Sequence, residues 1–203
     1  MGGALRQRLN DLAGKGKIRL RQVRTVDTWD DVNTELGNAN PKPRAVQIFT
    51  HGQRGDPKNP LAKDPAKLWI DNKTNEFADG KKFANTLKGY DCVLVTACHS
   101  YNMLETMLDE DKQKIKHVIV CEGELKDEEA LEVAVSFYGA LLHDKLTIES
   151  AARVASEALD KKIANVNRHV KLHYFQNGVE KSIDEIGFET AIEKNEVEKA
   201  SSK

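Results

Sequence analysis

The sequence predicts an α/β fold with a mainly parallel central sheet flanked by helices, and three observations predict it. Apolar runs at Arg44–Thr50 (RAVQIFT), Cys92–Ala97 (CVLVTA) and Lys116–Cys121 (KHVIVC) have the length and composition of buried strands. Helical periodicity falls between and after them, at Asp79–Leu87, Glu128–Leu142 and Ile148–Lys162. The first two strands also stop alike, one at His51-Gly52 and the other at Cys98, on the edge where open α/β sheets bind their ligands.

The chain has 203 residues, enough to bury a core without disulfides or metals. Its 31 Lys and Arg balance 32 Asp and Glu, for a net charge of −1, which argues against non-specific nucleic-acid binding. No apolar run approaches a membrane span, and Met1 to Lys17 lacks the apolar core of a signal peptide. A soluble, cytoplasmic protein is expected, with no membrane or nucleic-acid partner. Cys92, Cys98 and Cys121 are odd in number and lack metal-ligand spacing, so they are expected as reduced thiols. Cys92 and Cys121 fall within strands and read as small buried hydrophobes.

Three segments are expected: a polar extension over residues 1–16, one domain over 17–181 and a charged tail over 182–203. Within the extension, Leu5 to Leu12 suggests a short helix. Lys17 to Arg24 alternates as a half-exposed first strand. Asp27 to Leu36 reads as a helix capped by Asp27 or Thr28, with Trp29, Val32 and Leu36 inward and Gly37 as its stop. After His51, Gln53–Lys67 is a polar, proline-rich loop, and Leu68–Asp71 a short strand. Asp79 caps the next helix, which buries Phe83, Ala84 and Leu87 and ends at Gly89. Met103 to Asp109 is expected to be helical, and Glu122–Lys126 a loop at the sheet edge. Glu128–Leu142 is apolar almost all round, which requires burial. Thr147 caps the following helix, whose packing face is Ala151, Ala152, Ala155 and Leu159. His169 to Phe175 alternates as a closing edge strand, and Ile183, Ile186, Phe188 and Ile192 are spaced as a weak amphipathic helix.

A thiol at its free pKa is only a few per cent thiolate near neutrality, so a nucleophilic cysteine needs a base beside it. If the strands ending at His51 and Cys98 are parallel neighbours, the imidazole stands where it can take the thiol proton and later protonate a leaving amine. Glycine at position 52 lets backbone approach a substrate closely. The plainer alternatives are a buried structural cysteine and a turn histidine. A metal held by His51, Cys98 and His99 is disfavoured by the awkward geometry of adjacent ligands. His169 and His173 lie four apart in a strand-like run without a zincin's glutamate, so no metal or cofactor is expected.

Taken together, "IFTHG", "VTACHSYN" and "VIVCEGELKDEEALEVAVSFYGALLHDKLTIESAARVASEAL" resemble the caspase-like cysteine peptidases of clan CD, in particular their CHAT branch, over roughly Arg44 to Leu159. Cys98 follows His51 by 47 residues, near the roughly 50 that separate the caspase pair. The resemblance implies a three-layer caspase-like (caspase-hemoglobinase) fold and a cysteine endopeptidase with His51 and Cys98 as a catalytic dyad. It also implies an oxyanion hole from the backbone N–H groups of Gly52 and Cys98. It places Asp127, helped by Glu122 and Glu124, where an acidic pocket would receive a basic P1 residue. Asp127 is equally well placed as an N-cap for the helix that follows. The substrate would be a protein or peptide, and a bacterial defence role under a separate regulatory or sensor subunit is the expectation. The competing expectation is a CHAT-like interaction module that is catalytically silent or activated by a partner.

Overall fold

Why each apolar run becomes a strand is visible in its pairing. A computed structural model describes residues 7, 10–11, 28–39, 44–53, 67–71, 76–78, 80–103, 115–142 and 144–189. The expected strand at 17–24 and the helix following Met103 lie outside the described residues, as do most of the helix at Leu5–Leu12, most of the 53–67 loop, and Asp79 and Ile192. Two compact units are formed, one by residues 24–126 and 167–181 and one by residues 1–23, 127–166 and 182–203.

The first unit carries a five-stranded sheet: β1 (Ala45–Phe49), β5 (Cys92–Thr96), β6 (His117–Gly123), β7 (Val170–Gln176) and β8 (Val179–Lys181), in that spatial order. β1, β5 and β6 are parallel, whereas β6–β7 and β7–β8 are antiparallel. The sheet is therefore mixed, which corrects the mainly parallel expectation. β7 is not the closing edge either. Asn177 and Gly178, both at positive φ, turn the chain back through a tight hairpin into β8, the true edge. A second, three-stranded sheet joins β2 (Gly52–Gln53), β3 (Lys67–Asp71) and β4 (Glu76–Ala78).

All five residues of β5 are buried, as a continuous apolar run in a central strand demands. One face of the sheet shares a core with the helices of this unit. Thr28 caps α1 (Trp29–Val32) through a capping box with Asp31, and the helix widens into a π-helix over Asn33–Gly37. α2 (Gly80–Thr86) delivers Phe83, and Leu87 follows it. Trp29 packs edge-on to Phe83 at 4.8 Å, and both join Val46, Val93, Val95, Val118, Val120 and Phe175. Leu36, expected inward with Trp29 and Val32, packs against the same core and is partly buried, within the π-helix.

In the second unit α3 (Asp127–Leu142) and α4 (Ile148–Ile163) pack together. Thr147 caps α4 as expected, its hydroxyl accepting from the Ser150 N–H, and Ala151, Ala152, Ala155 and Leu159 are all buried. From Glu129 to Leu142 no residue of α3 is fully exposed, as its all-round apolarity requires. Among the described residues, through Glu189, the tail does not form the amphipathic helix its spacing suggested. A 3-10 turn over Ile183–Glu185 gives way to extended backbone that hydrogen-bonds to the start of α4: Ser150 Oγ donates to the Gly187 carbonyl, and the Glu189 N–H donates to Ser150 Oγ, both at 2.9 Å. Ser150, in the first turn of the helix that Thr147 caps, thus both donates to and accepts from this backbone.

Candidate functional site at the strand ends

The pairing of β1 with β5 runs Ala45 to Cys92 through Phe49 to Thr96, so both strands end at the same sheet edge. Two residues beyond these partners stand His51 and Cys98. The next residue, Gly52, lies against the Cys98 backbone so tightly that a Cβ there would come within 1.7 Å of the Cys98 carbonyl oxygen and 3.2 Å of its nitrogen. Only glycine fits, because backbone cannot yield as a flexible side chain could. The structure thus brings His51, Gly52 and Cys98 together at one corner of the sheet.

The corner is asymmetric. His51 is exposed, and among the described residues its side chain makes no hydrogen bond, to Cys98 or to any other group. Cys98 is half-buried and its sulfur is engaged. The thiol reaches the Leu125 carbonyl at 3.4 Å, and the Leu125 N–H points back at the same sulfur at 3.3 Å. The turn that carries the thiol is pinned on its far side. His99 takes a left-handed backbone (φ 54°), sparsely used by non-glycine residues, and its N–H donates to the Gly123 carbonyl at 2.9 Å. Ser100 is fully buried, with its hydroxyl within reach of the Val95 and Cys121 carbonyls while accepting from the Cys121 N–H at 2.9 Å. This serine stitches the end of β5 to β6. The small polar residue two beyond Cys98 was its signal in the sequence. The other two cysteines are fully buried.

The acidic residues fall differently from expectation. Glu122 and Gly123 belong to β6 rather than to a loop, because β7 pairs antiparallel with them through Lys171 and Val170. Gly123 has φ 86° and sits so near the His169 carbonyl that a Cβ would be 2.2 Å from its oxygen. The Glu122 carboxylate is already committed: Oε2 lies 2.9 Å from His173 Nε2 and 3.3 Å from His169 Nε2. Desolvation by partial burial raises its pKa, but the hydrogen bonds and positive charge of His173 and His169 outweigh this and hold it below the usual carboxylate value. The other ring nitrogen of His173 meets Glu180 Oε1 at 2.6 Å, and the Tyr101 ring lies over the imidazole at 4.1 Å between centroids. Sequence reading missed this cluster, since Glu122 meets His169 and His173 only through the antiparallel β6–β7 pairing, and Glu180 joins only when β8 folds back along β7. Glu124 is exposed, and its carbonyl accepts from Arg168 Nη1 at 2.7 Å. Asp127 opens α3 in the helical unit, within its acidic first turn beside Glu128 and Glu129, where carboxylates favour the helix dipole. It is the first helical residue rather than the cap before it.

No family model matches the chain, and no curated protein does. A thiol and an imidazole at adjacent strand ends, with crowded backbone between them, can perform nucleophilic attack on a carbonyl if the imidazole turns toward the sulfur.

Proposed function

We propose that the chain is a cysteine endopeptidase in which Cys98 is the nucleophile and His51 the acid–base partner. The observation that supports this most is the parallel register of β1 and β5, with Gly52 packed on the Cys98 backbone. In the reaction, the sulfur bonds to the scissile carbonyl carbon as its proton passes to His51. The tetrahedral oxyanion is met by N–H groups of Gly52 and Cys98. Collapse breaks the C–N bond, the leaving amine takes the proton from His51, and water then hydrolyses the thioester with His51 as base.

The likeness of "IFTHG" and "VTACHSYN" to caspase-like motifs supports a protein substrate and a bacterial defence role. Preference for a basic P1 residue now rests on Asp127, whose side chain is exposed, because the Glu122 carboxylate is engaged by its two histidines. Replacing Asp127 by Asn should lower kcat/KM for Arg and Lys peptides by at least about tenfold relative to Leu peptides, the cost of removing one partner of a desolvated charge pair. An equal effect on all substrates would reduce Asp127 to a helix-start residue.

The decisive experiment is Cys98→Ala with turnover of a fluorogenic peptide library. Loss of all cleavage with an unchanged melting transition is expected, and equal turnover would end the proposal. A second reading, a catalytically silent or partner-activated module, is favoured by the engagement of the sulfur with Leu125 in place of His51. Cleavage that appears only when a second protein is added would support it.

A further inference from the structure

We propose that Glu122–Leu125 is a latch on the Cys98 thiol, fastened by Arg168 and His173, and that its release sets how readily the thiol reacts. The functional meaning of the latch rests on the reading of Cys98 as nucleophile. Each residue of the segment is tied. Glu122 is held by His173 and His169, and the Gly123 carbonyl accepts the His99 N–H. The Glu124 carbonyl takes Arg168, and the Leu125 peptide group grips the sulfur while its side chain is buried. Arg168 and His169 just precede β7 and His173 lies in its middle, so one short stretch of chain holds Glu122 and Glu124, while the turn after β5 holds Gly123 and Leu125.

The grip holds the sulfur from two sides. The Leu125 carbonyl accepts from S–H and repels a thiolate, whereas the Leu125 N–H donates to sulfur in either form, so together they fix the sulfur in place, and it must leave the carbonyl before it attacks as a thiolate. His173 is well suited to hold the closed state. It is only 11% exposed, and it bridges Glu122 on β6 to Glu180 on β8 with both ring nitrogens while Tyr101 covers one face. A partner or substrate that draws Arg168 or Glu122 away would free the segment at its fastened end.

The test uses the full chain and needs no substrate. Alkylation by iodoacetamide is followed cysteine by cysteine in wild type, Arg168→Ala, Arg168→Lys and His173→Ala, with buried Cys92 and Cys121 as internal references. Cys98 should react at least about tenfold faster in the two alanine variants, since a charge-assisted hydrogen bond holding a closed state is worth that factor or more. The reference cysteines should stay slow, and Arg168→Lys should restore most of the protection. An unchanged Cys98 rate in folded variants overturns the latch. If all three cysteines accelerate together because a variant unfolds, hydrogen exchange of wild type decides. The Leu125 and His99 amides should then open well before those of Val93 to Val95, and exchange only through global unfolding rejects the proposal. Failure of the peptidase reading is separable, because a protein that cleaves nothing can still show latch-controlled alkylation.

Discussion

Two histidines of the first unit, one in the middle of β7 and one just past β1, could hardly differ more. His173 is nearly buried, bonded at both ring nitrogens and covered by Tyr101, whereas His51 is exposed and has no side-chain hydrogen bond among the described residues. The histidine held most firmly is not the one placed beside the thiol. His173 spends both ring nitrogens on carboxylates of neighbouring strands. A base needs one ring nitrogen open to the proton it takes up, while the hydrogen bond at the other sets its tautomer. The difference also separates two regions of the sheet, an exposed imidazole just past β1 and a set of side-chain contacts across β6, β7 and β8.

The largest expected effect breaks the comparison from the chemical side. His51→Ala should lower kcat by about 10²–10⁴, the usual worth of positioned acid–base catalysis. Its melting temperature should stay near that of wild type, as for an exposed residue whose removal changes stability by no more than about 0.5 kcal/mol. A full loss of stability would make His51 structural. Gly52→Ala should come next, because its Cβ has no space against the Cys98 carbonyl. A destabilisation of about 1–3 kcal/mol is expected in urea unfolding, comparable to other overpacked sites, together with lost turnover. Wild-type stability there would mean that the two strand ends lie farther apart.

His173→Ala sharpens the comparison from the other side. It should destabilise by about 1–3 kcal/mol, since two carboxylates lose a charge-assisted partner. The smallest effect concerns Glu122. Its folded-state pKa is lowered, so its pairing adds stability above the ordinary carboxyl pKa, and that contribution fades as pH falls through the lowered folded value. Glu122→Gln should therefore flatten the acid limb of a stability-versus-pH curve while changing little of its shape at neutral pH. An acid limb identical to wild type would show that the His173 and His169 contacts do not act on this carboxylate.

Much of this was legible in the chain because periodicity and capping are local. The buried run at Cys92–Ala97, the Thr147 cap, the alanine face of α4 and the positive-φ stop at Gly89 all depend on neighbours a few residues away. So does the placement of His51 and Cys98 just past strand ends, and a parallel pairing of those strands was a reasonable inference from two apolar runs. Tertiary structure alone decided the rest. The turn at Asn177-Gly178 moved the sheet edge to β8, and antiparallel pairing with β7 drew Glu122 into a strand. Three histidine–carboxylate contacts formed between residues 7 to 51 positions apart. Strand register is set by which faces can be buried together, a property of the assembled sheet that no single segment contains. For the same reason the sequence could place a thiol at the edge but could not show that Leu125 would hold it.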